Sequence, residues 1–246
     1  MIVVLSTTAF AQEQSGQGTG NISLPGLTTG QEGDGEKRLS LPVEIVLGLT
    51  VLSLAPAILV MMTSFTRIIV VFSFIRQALG TQQMPPAQLL IGLAIFLTAV
   101  IMMPAFTEIN DTALQPYLSE EITRDEAVEK GFVPIRTFML GHAREKDIAL
   151  FMKMKGADAP VTPETLSASI LIPAFVISEL RTAFQIGFLI YLPFLVIDMV
   201  VASVLMSMGM MMLPPVMISL PFKILLFVLV DGWHLLVQSL ITGFLG

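Results

Sequence analysis

SVLMSMGMMMLPPVMISLPFKILLFVLVDGW, residues 203–233, decides the fold. Two strongly apolar segments meet here through a turn that carries Met206, Met208, Met210, Met211, Met212 and Met217 and the pair Pro214–Pro215. Only Lys223 and Asp231 interrupt the stretch with charge, and Asp198 lies just upstream. Ions set in lipid-compatible sequence are costly unless they are partnered or face a cavity, so they mark packed or functional surface. Clustered thioethers are flexible and polarizable and make a soft lining. The stretch reads as part of an oligomeric membrane assembly with a deformable constriction.

Composition agrees. The chain has 246 residues, 54% hydrophobic and 13% charged, whereas soluble domains run nearer a quarter charged. The net charge of −6 is concentrated outside the apolar blocks, and no basic patch resembles a nucleic-acid footprint. Cysteine is absent, which excludes disulfides, thiolate chemistry and cysteine-ligated metals.

At the start, IVVLSTTAF followed by Ala9-Phe10-Ala11 reads as the tail of a secretory signal peptide, residues 1–11, truncated ahead of its basic segment. Residues 12–40 are rich in Gly, Ser, Thr and Gln and are expected to form a flexible extracytoplasmic linker. Its GQGTG piece has neither the preceding strand nor the following helix of a phosphate loop.

Four apolar blocks follow, at about 43–65, 89–106, 186–206 and 218–245, each long enough to cross a bilayer. Pro56 predicts a kink in the first. Between the first two blocks the only charges are Arg67 and Arg76. Positive residues prefer the cytoplasmic side, so this connection is expected there and the N-terminus outside. Residues 108–181 carry twelve acidic and eight basic residues and no span-length apolar run. They are expected to form an extracytoplasmic helical insert, with helical spacing over 123–130 and 138–152 and another helix from Thr165 to Phe184. The expected fold is thus an all-α membrane protein. It places a first helical pair at 41–107, a small extracytoplasmic domain at 108–184, and a second hairpin with a Met-rich loop at 185–246. Copies are expected to assemble into a ring or helical cone.

Asp198, Lys223, Asp231 and His234 admit two readings. They form a proton or ion pathway, or they are buried pairs that hold helices in register. In an antiparallel hairpin turning at Gly209–Met211, Asp198 and Lys223 lie at similar depth, while Asp231 and His234 share one helix face. A transporter usually shows matched, interrupted repeats, and none is visible, which favours the structural reading. The three consecutive methionines sit in a turn where the side chains of one copy cannot all enter one core. A ring of copies brings them together as a gasket. Glu179 and Arg181 close the 165–184 helix, either as an anchor for a neighbouring copy or as a solvated end. Two histidines without HExxH-like spacing make a metal site improbable, no nucleophile motif stands out, and no cofactor is expected.

MMTSFTRIIVVFSFIRQALGTQQMPP (61–86), ISELRTAFQIGFLIYLPFLVIDMVVASVLMSMGMMMLPP (177–215) and LPFKILLFVLVDGWHLL (220–236) resemble the FliP family, flagellar export-gate membrane proteins related to the SctR proteins of virulence type III secretion. The resemblance covers nearly the whole chain after the linker, and the signal and linker look more like the flagellar branch. It implies a non-enzymatic bacterial inner-membrane protein of the flagellar basal body that assembles in several copies with FliQ and FliR, beside FlhA and FlhB. Unfolded flagellar rod, hook and filament subunits would pass through the resulting channel. It further implies a pore gasket at Met210, Met211 and Met212. Contacts between copies would fall at Phe138, Phe151 and Glu179, and the family's hairpin lysine at Lys223. The alternatives are a virulence export-gate subunit and a proton-coupled transporter using Asp198 and Asp231.

Overall fold

A computed structural model describes residues 41–81, 84–154, 166–210 and 213–245. The expected signal peptide and linker, and Met211 and Met212 of the expected gasket, lie outside the described residues. The chain divides into two units, residues 1–53 and 54–246. Of the first, the described part is the opening of helix α1 (Leu41–Met62). The second contains the remainder of α1, then α2 (Phe65–Ala78), α3 (Ala87–Ile109), a π-helical turn (Asn110–Leu114), α4 (Gln115–Leu118), α5 (Arg124–His142), α6 (Glu145–Met154), α7 (Ala168–Ser207), α8 (Pro215–Leu229) and α9 (Gly232–Leu245). Among the described residues every regular element is helical, as the composition leads one to expect.

Four long hydrophobic helices, some of them kinked, are expected, and among the described residues two to four candidates are found. Two continuous helical stretches are long and apolar enough to cross a membrane, 87–118 and 168–207, and two further candidates are bent pairs, α1–α2 and α8–α9. Helix α1 continues through Pro56, and the sharp bend expected there falls instead at Thr63–Ser64. Threonine hydroxyls take over carbonyls at that joint: Thr63 Oγ1 donates to Leu59 O at 2.5 Å and Thr66 Oγ1 donates to Val60 O. Side chains that compete for backbone partners in this way end or bend a helix.

The fourth block breaks too. Between α8 and α9 the chain turns by 61° at Asp231, whose φ of +49° is left-handed, a conformation aspartate tolerates better than most residues. Conversely, the helices expected separately at 165–184 and 186–206 are one. Helix α7 runs for 40 residues through Pro173 and Pro193, about 60 Å at 1.5 Å per residue and roughly twice the thickness of a bilayer's hydrocarbon core.

The core explains which helices matter. Helix α2 presents Ile68, Val71, Phe72, Ile75, Ala78 and Leu79 on one face at i, i+3, i+4 and i+7 spacing, all buried. Against it pack Leu90, Ala94, Leu97 and Ile101 of α3, Ala183 and Phe194 of α7, Phe227 of α8, and Leu240 and Phe244 of α9. The segment expected as a cytoplasmic connection is therefore the most enclosed helix of the unit. Burying an apolar face of this size contributes about 1.5–3 kcal/mol per large side chain.

Contact between α2 and α7 is close at Gly187, where a Cβ would fall 2.4 Å from the Phe74 ring. Hydrogen at that position lets the two backbones approach. A second core joins α5, α6 and the first turns of α7 through Met139, Leu166, Ile170, Leu171 and Phe175. Helix α5 starts at a capping box in which Thr123 and Glu126 satisfy each other's backbone N–H. Bonds from the Thr123 backbone N–H and hydroxyl hold the Glu126 carboxyl below its usual value.

Candidate functional site

The α7–α8 hairpin is shaped at its turn by the end of α7. Gly209 adopts φ +72°, its N–H donates to Met206 O, and the Met210 N–H donates back to Leu205 O, each at 3.1 Å. This is the paired closure that a left-handed residue allows at a helix C-terminus. It satisfies carbonyls that would otherwise end unpaired, and it leaves Met206, Met208, Met210 and, across the turn, Met217 exposed. Thioethers thus face outward at one end of a hairpin whose charges lie deeper.

Those charges meet as their depth suggested. Lys223 Nζ donates to Asp198 Oδ2 at 2.5 Å, and Ser219, one turn before Lys223, donates to Asp198 Oδ1 at 2.5 Å. Lys223 is buried although it lies among apolar residues, and Asp198 is half-buried. The ammonium also lies 3.9 Å from where a Cβ of Gly80 would stand, beside the C-terminus of α2. Carbonyl groups at a helix C-terminus carry partial negative charge and favour a cation there. Both carboxylate oxygens are engaged, so the pair acts as a clasp between α7 and α8. Asp231 was expected as a hairpin charge buried against neighbouring copies. It and His234 are both exposed, and no hydrogen bond joins them among the described residues, because the break at Asp231 takes the two out of a common helix.

A second buried pair was missed at the sequence level. Arg67 of α2 grips Glu179 of α7 with two bonds, Nε to Oε2 at 2.8 Å and Nη2 to Oε1 at 2.5 Å. Its third nitrogen, Nη1, donates to Gly243 O of α9 at 2.9 Å, and its Cζ lies 3.7 Å from the centroid of the Phe244 ring. Glu179 is 0% exposed and Arg67 4%. Glu179 was expected as a contact to a neighbouring copy. In this structure its carboxylate is consumed inside the chain, where it fixes α2, α7 and α9 together. The fork of a guanidinium suits this task, since it matches a carboxylate in two places and keeps a donor for a third partner. The signal for Arg67 was present in the sequence, where it is an isolated ion in apolar surroundings.

Next to this knot, Ser178 accepts a bond from the Arg144 backbone N–H at 3.0 Å and donates to Asp147 Oδ2 at 2.6 Å, while Arg144 Nη2 reaches the same oxygen at 2.8 Å. Burial alone would raise the Asp147 carboxyl. The bonds from Ser178 and Arg144 and the charges of Arg144 and Arg181 outweigh it and hold the group below the usual aspartate value. Successive residues of α7 thus secure different parts of the fold: Ser178 the α5–α6 joint, Glu179 the α2 and α9 contacts.

Phe138 and Phe151, also expected between copies, are half-buried here. Phe138 lies against Phe175 and Phe244, with ring centroids 5.9 and 6.0 Å away, and against His142 at 4.5 Å. Phe151 packs on the second core. Among the described residues no three His, Asp or Glu side chains come together as metal ligands would.

Comparison with known sequences adds an independent line. The sequence profile of the FliP family matches residues 48–240. The flagellar biosynthetic protein FliP of Bacillus subtilis (strain 168) is 60% identical over 208 residues, 85% of this chain and 94% of that protein. Its counterpart in Pectobacterium carotovorum is 51% identical over 221 residues, covering 90% and 86%. That of Borreliella burgdorferi is 46% identical over 244 residues, covering 98% and 95%.

Proposed function

This chain belongs to the FliP family and is a flagellar biosynthesis protein, and on that premise we propose that it is a structural subunit of the flagellar type III protein-export channel. Several copies assemble in the bacterial inner membrane, within the flagellar basal body, with FliQ and FliR, beside FlhA and FlhB. Unfolded rod, hook and filament subunits thread through the channel they form. The N-terminus and residues 108–184 face away from the cytoplasm.

One observation supports this reading above the others: thioethers are exposed at the hairpin turn while the hairpin's own Asp198–Lys223 charges are clasped away from it. A lining of this kind has no fixed charge to hold ions or substrate, and its flexible side chains adapt to a passing chain of any sequence. Met210, Met211 and Met212 form the gasket. Faces left apolar and exposed on α7 and α8, among them Phe188, Met199, Phe222 and Leu225, meet sister copies and lipid.

Replacing Met210, Met211 and Met212 together by alanine tests the proposal. Ion leak across the membrane should rise while the assembly keeps its size. An unchanged leak in a normally assembled complex counts against the gasket.

A further inference from the structure

One face of α6 is unused by its own chain. Ile148, Phe151 and Met152 turn onto the second core, while Lys146, Leu150 and Met154 are exposed. Those three stand four positions apart and form a single ridge along the helix, a cation at its first end and two apolar side chains behind it. Lys146 has no ion-pair partner among the described residues. The neighbouring row, Glu145, Ala149 and Lys153, carries one charge of each sign and adds no net charge.

A groove that fits such a ridge opens on α3 and the π-helical turn. It has a volume of about 660 Å³ and is lined by two rows of the same spacing, Val100, Pro104 and Glu108 in one and Met103, Thr107 and Asp111 in the other. All six are exposed. The rows are apolar at the Val100–Met103 end and anionic at the Glu108–Asp111 end. Asp111 accepts one bond, from Asn110 at 2.9 Å, and the Glu108 carboxylate none among the described residues. Ridges of four-residue spacing seat in grooves of the same spacing, the commonest way helices pack. The lengths agree as well, since Lys146 to Met154 and Val100 to Glu108 each rise about 12 Å. One direction alone matches charge, with α6 antiparallel to α3; the reverse would set Met154 on two carboxylates. In its own chain α6 is packed on α7, so the ridge that fills the groove belongs to another copy.

We propose that α6 of one copy docks into the α3 groove of the next. Lys146 enters between Glu108 and Asp111 of that copy, and Leu150 and Met154 lie along its Pro104 and Met103. Ridge and groove are different surfaces, so the contact is head-to-tail. Each copy offers its ridge to one neighbour and its groove to the other, and the contact repeats into a ring or a helical row. This rests on the reading that several copies assemble, and it adds which surfaces join and in which direction.

The chain has no cysteine, so Met103→Cys and Met154→Cys can be introduced together and oxidised in native membranes that hold the assembled complex. The double variant should give a ladder of chain multiples on a non-reducing gel, and either single variant should stay unlinked. Lys146→Glu should lower the yield of assembled complex about tenfold without moving the thermal midpoint of the chain, because like charges then face one another. Adding Glu108→Lys and Asp111→Lys should restore most of that yield, since every copy then carries the reversed set. A complex of full mass without the 103–154 link overturns the docking and leaves multi-copy assembly standing. So does a link to a different subunit of the complex, a linked pair from a single variant, or a Lys146→Glu protein that assembles undiminished. A chain that purifies alone overturns the assembly reading and this contact with it.

Discussion

Two ion pairs sit on the same helix in opposite surroundings. Around Arg67–Glu179, α2, α7 and α9 close on one another, and neighbouring side chains such as Ile68, Phe72 and Phe175 are fully buried. Around Asp198–Lys223 the clasp holds two helices, yet Met199 is 61% exposed, Leu225 55% and Leu229 74%. The first region is finished by its own chain. In the second, among the described residues, Phe194, Leu205, Ser219, Lys223 and Phe227 are buried, and much of the remaining apolar surface is exposed. One region is a folding core and the other is a surface prepared for company. Similar residue chemistry serves stability in one place and pre-orients an assembly face in the other.

The contrast is most easily broken at the knot. Arg67→Ala strands a buried carboxylate and should cost about 3–5 kcal/mol, read as a large loss of folded protein in a denaturant titration. Replacing both partners, Arg67→Met with Glu179→Leu, should cost less than Arg67→Ala, because no buried charge is left alone. A double variant that is worse than Arg67→Ala would shift the weight from the ion pair to the contacts of Arg67 with Gly243 and Phe244.

The clasp should matter less. The Asp198 side chain keeps 30% of its exposure, so water softens the loss when Lys223→Met removes the cation; about 2 kcal/mol is expected, below the cost at the knot. Exchanging the pair, Asp198→Lys with Lys223→Asp, should recover part of what either change loses. Equal damage in all three proteins would mean that the pairing is incidental. Gly187→Ala sharpens the same comparison from the packing side. The new methyl meets the Phe74 ring, and overpacking of this kind should cost about 1–3 kcal/mol and lower the thermal midpoint.

The smallest effect is on pH. Asp147 has a depressed native pKa, so its contribution is complete above the ordinary aspartate value and is lost as pH falls through the lower native one. Asp147→Asn should therefore be less stable than the unaltered protein at neutral pH, and the gap should close below about pH 4. A gap that stays constant into acid would assign the loss to geometry alone.

Much of this was legible before any coordinates. Apolar runs marked the helices, and equal distances from the turn put Asp198 opposite Lys223. Local pattern failed where tertiary contact decided. The helices read separately at 165–184 and 186–206 are one, since packing along α2, α6 and α8 carries α7 across the division. Asp231–Gly232 ended a helix that hydropathy had drawn as continuous, because a left-handed residue leaves no trace in an apolarity profile. Arg67 and Glu179 stand 112 positions apart, a separation no periodicity can bridge. Reading Arg67 as a loop cation followed from assigning it to a connection, and the connection turned out to be the central helix.

The contrast between a closed core and an open hairpin can be tested directly with cysteines, since the chain has none of its own. Val200→Cys and Leu225→Cys place single thiols on the exposed faces of α7 and α8, and Ala183→Cys places one in the core. Oxidised in native membranes, the first two should link into pairs of chains or to partner subunits, while the third stays unlinked and unlabelled. Hairpin cysteines that never cross-link and react freely with a maleimide dissolved in the bilayer would show that lipid alone covers this surface, and would contradict the account.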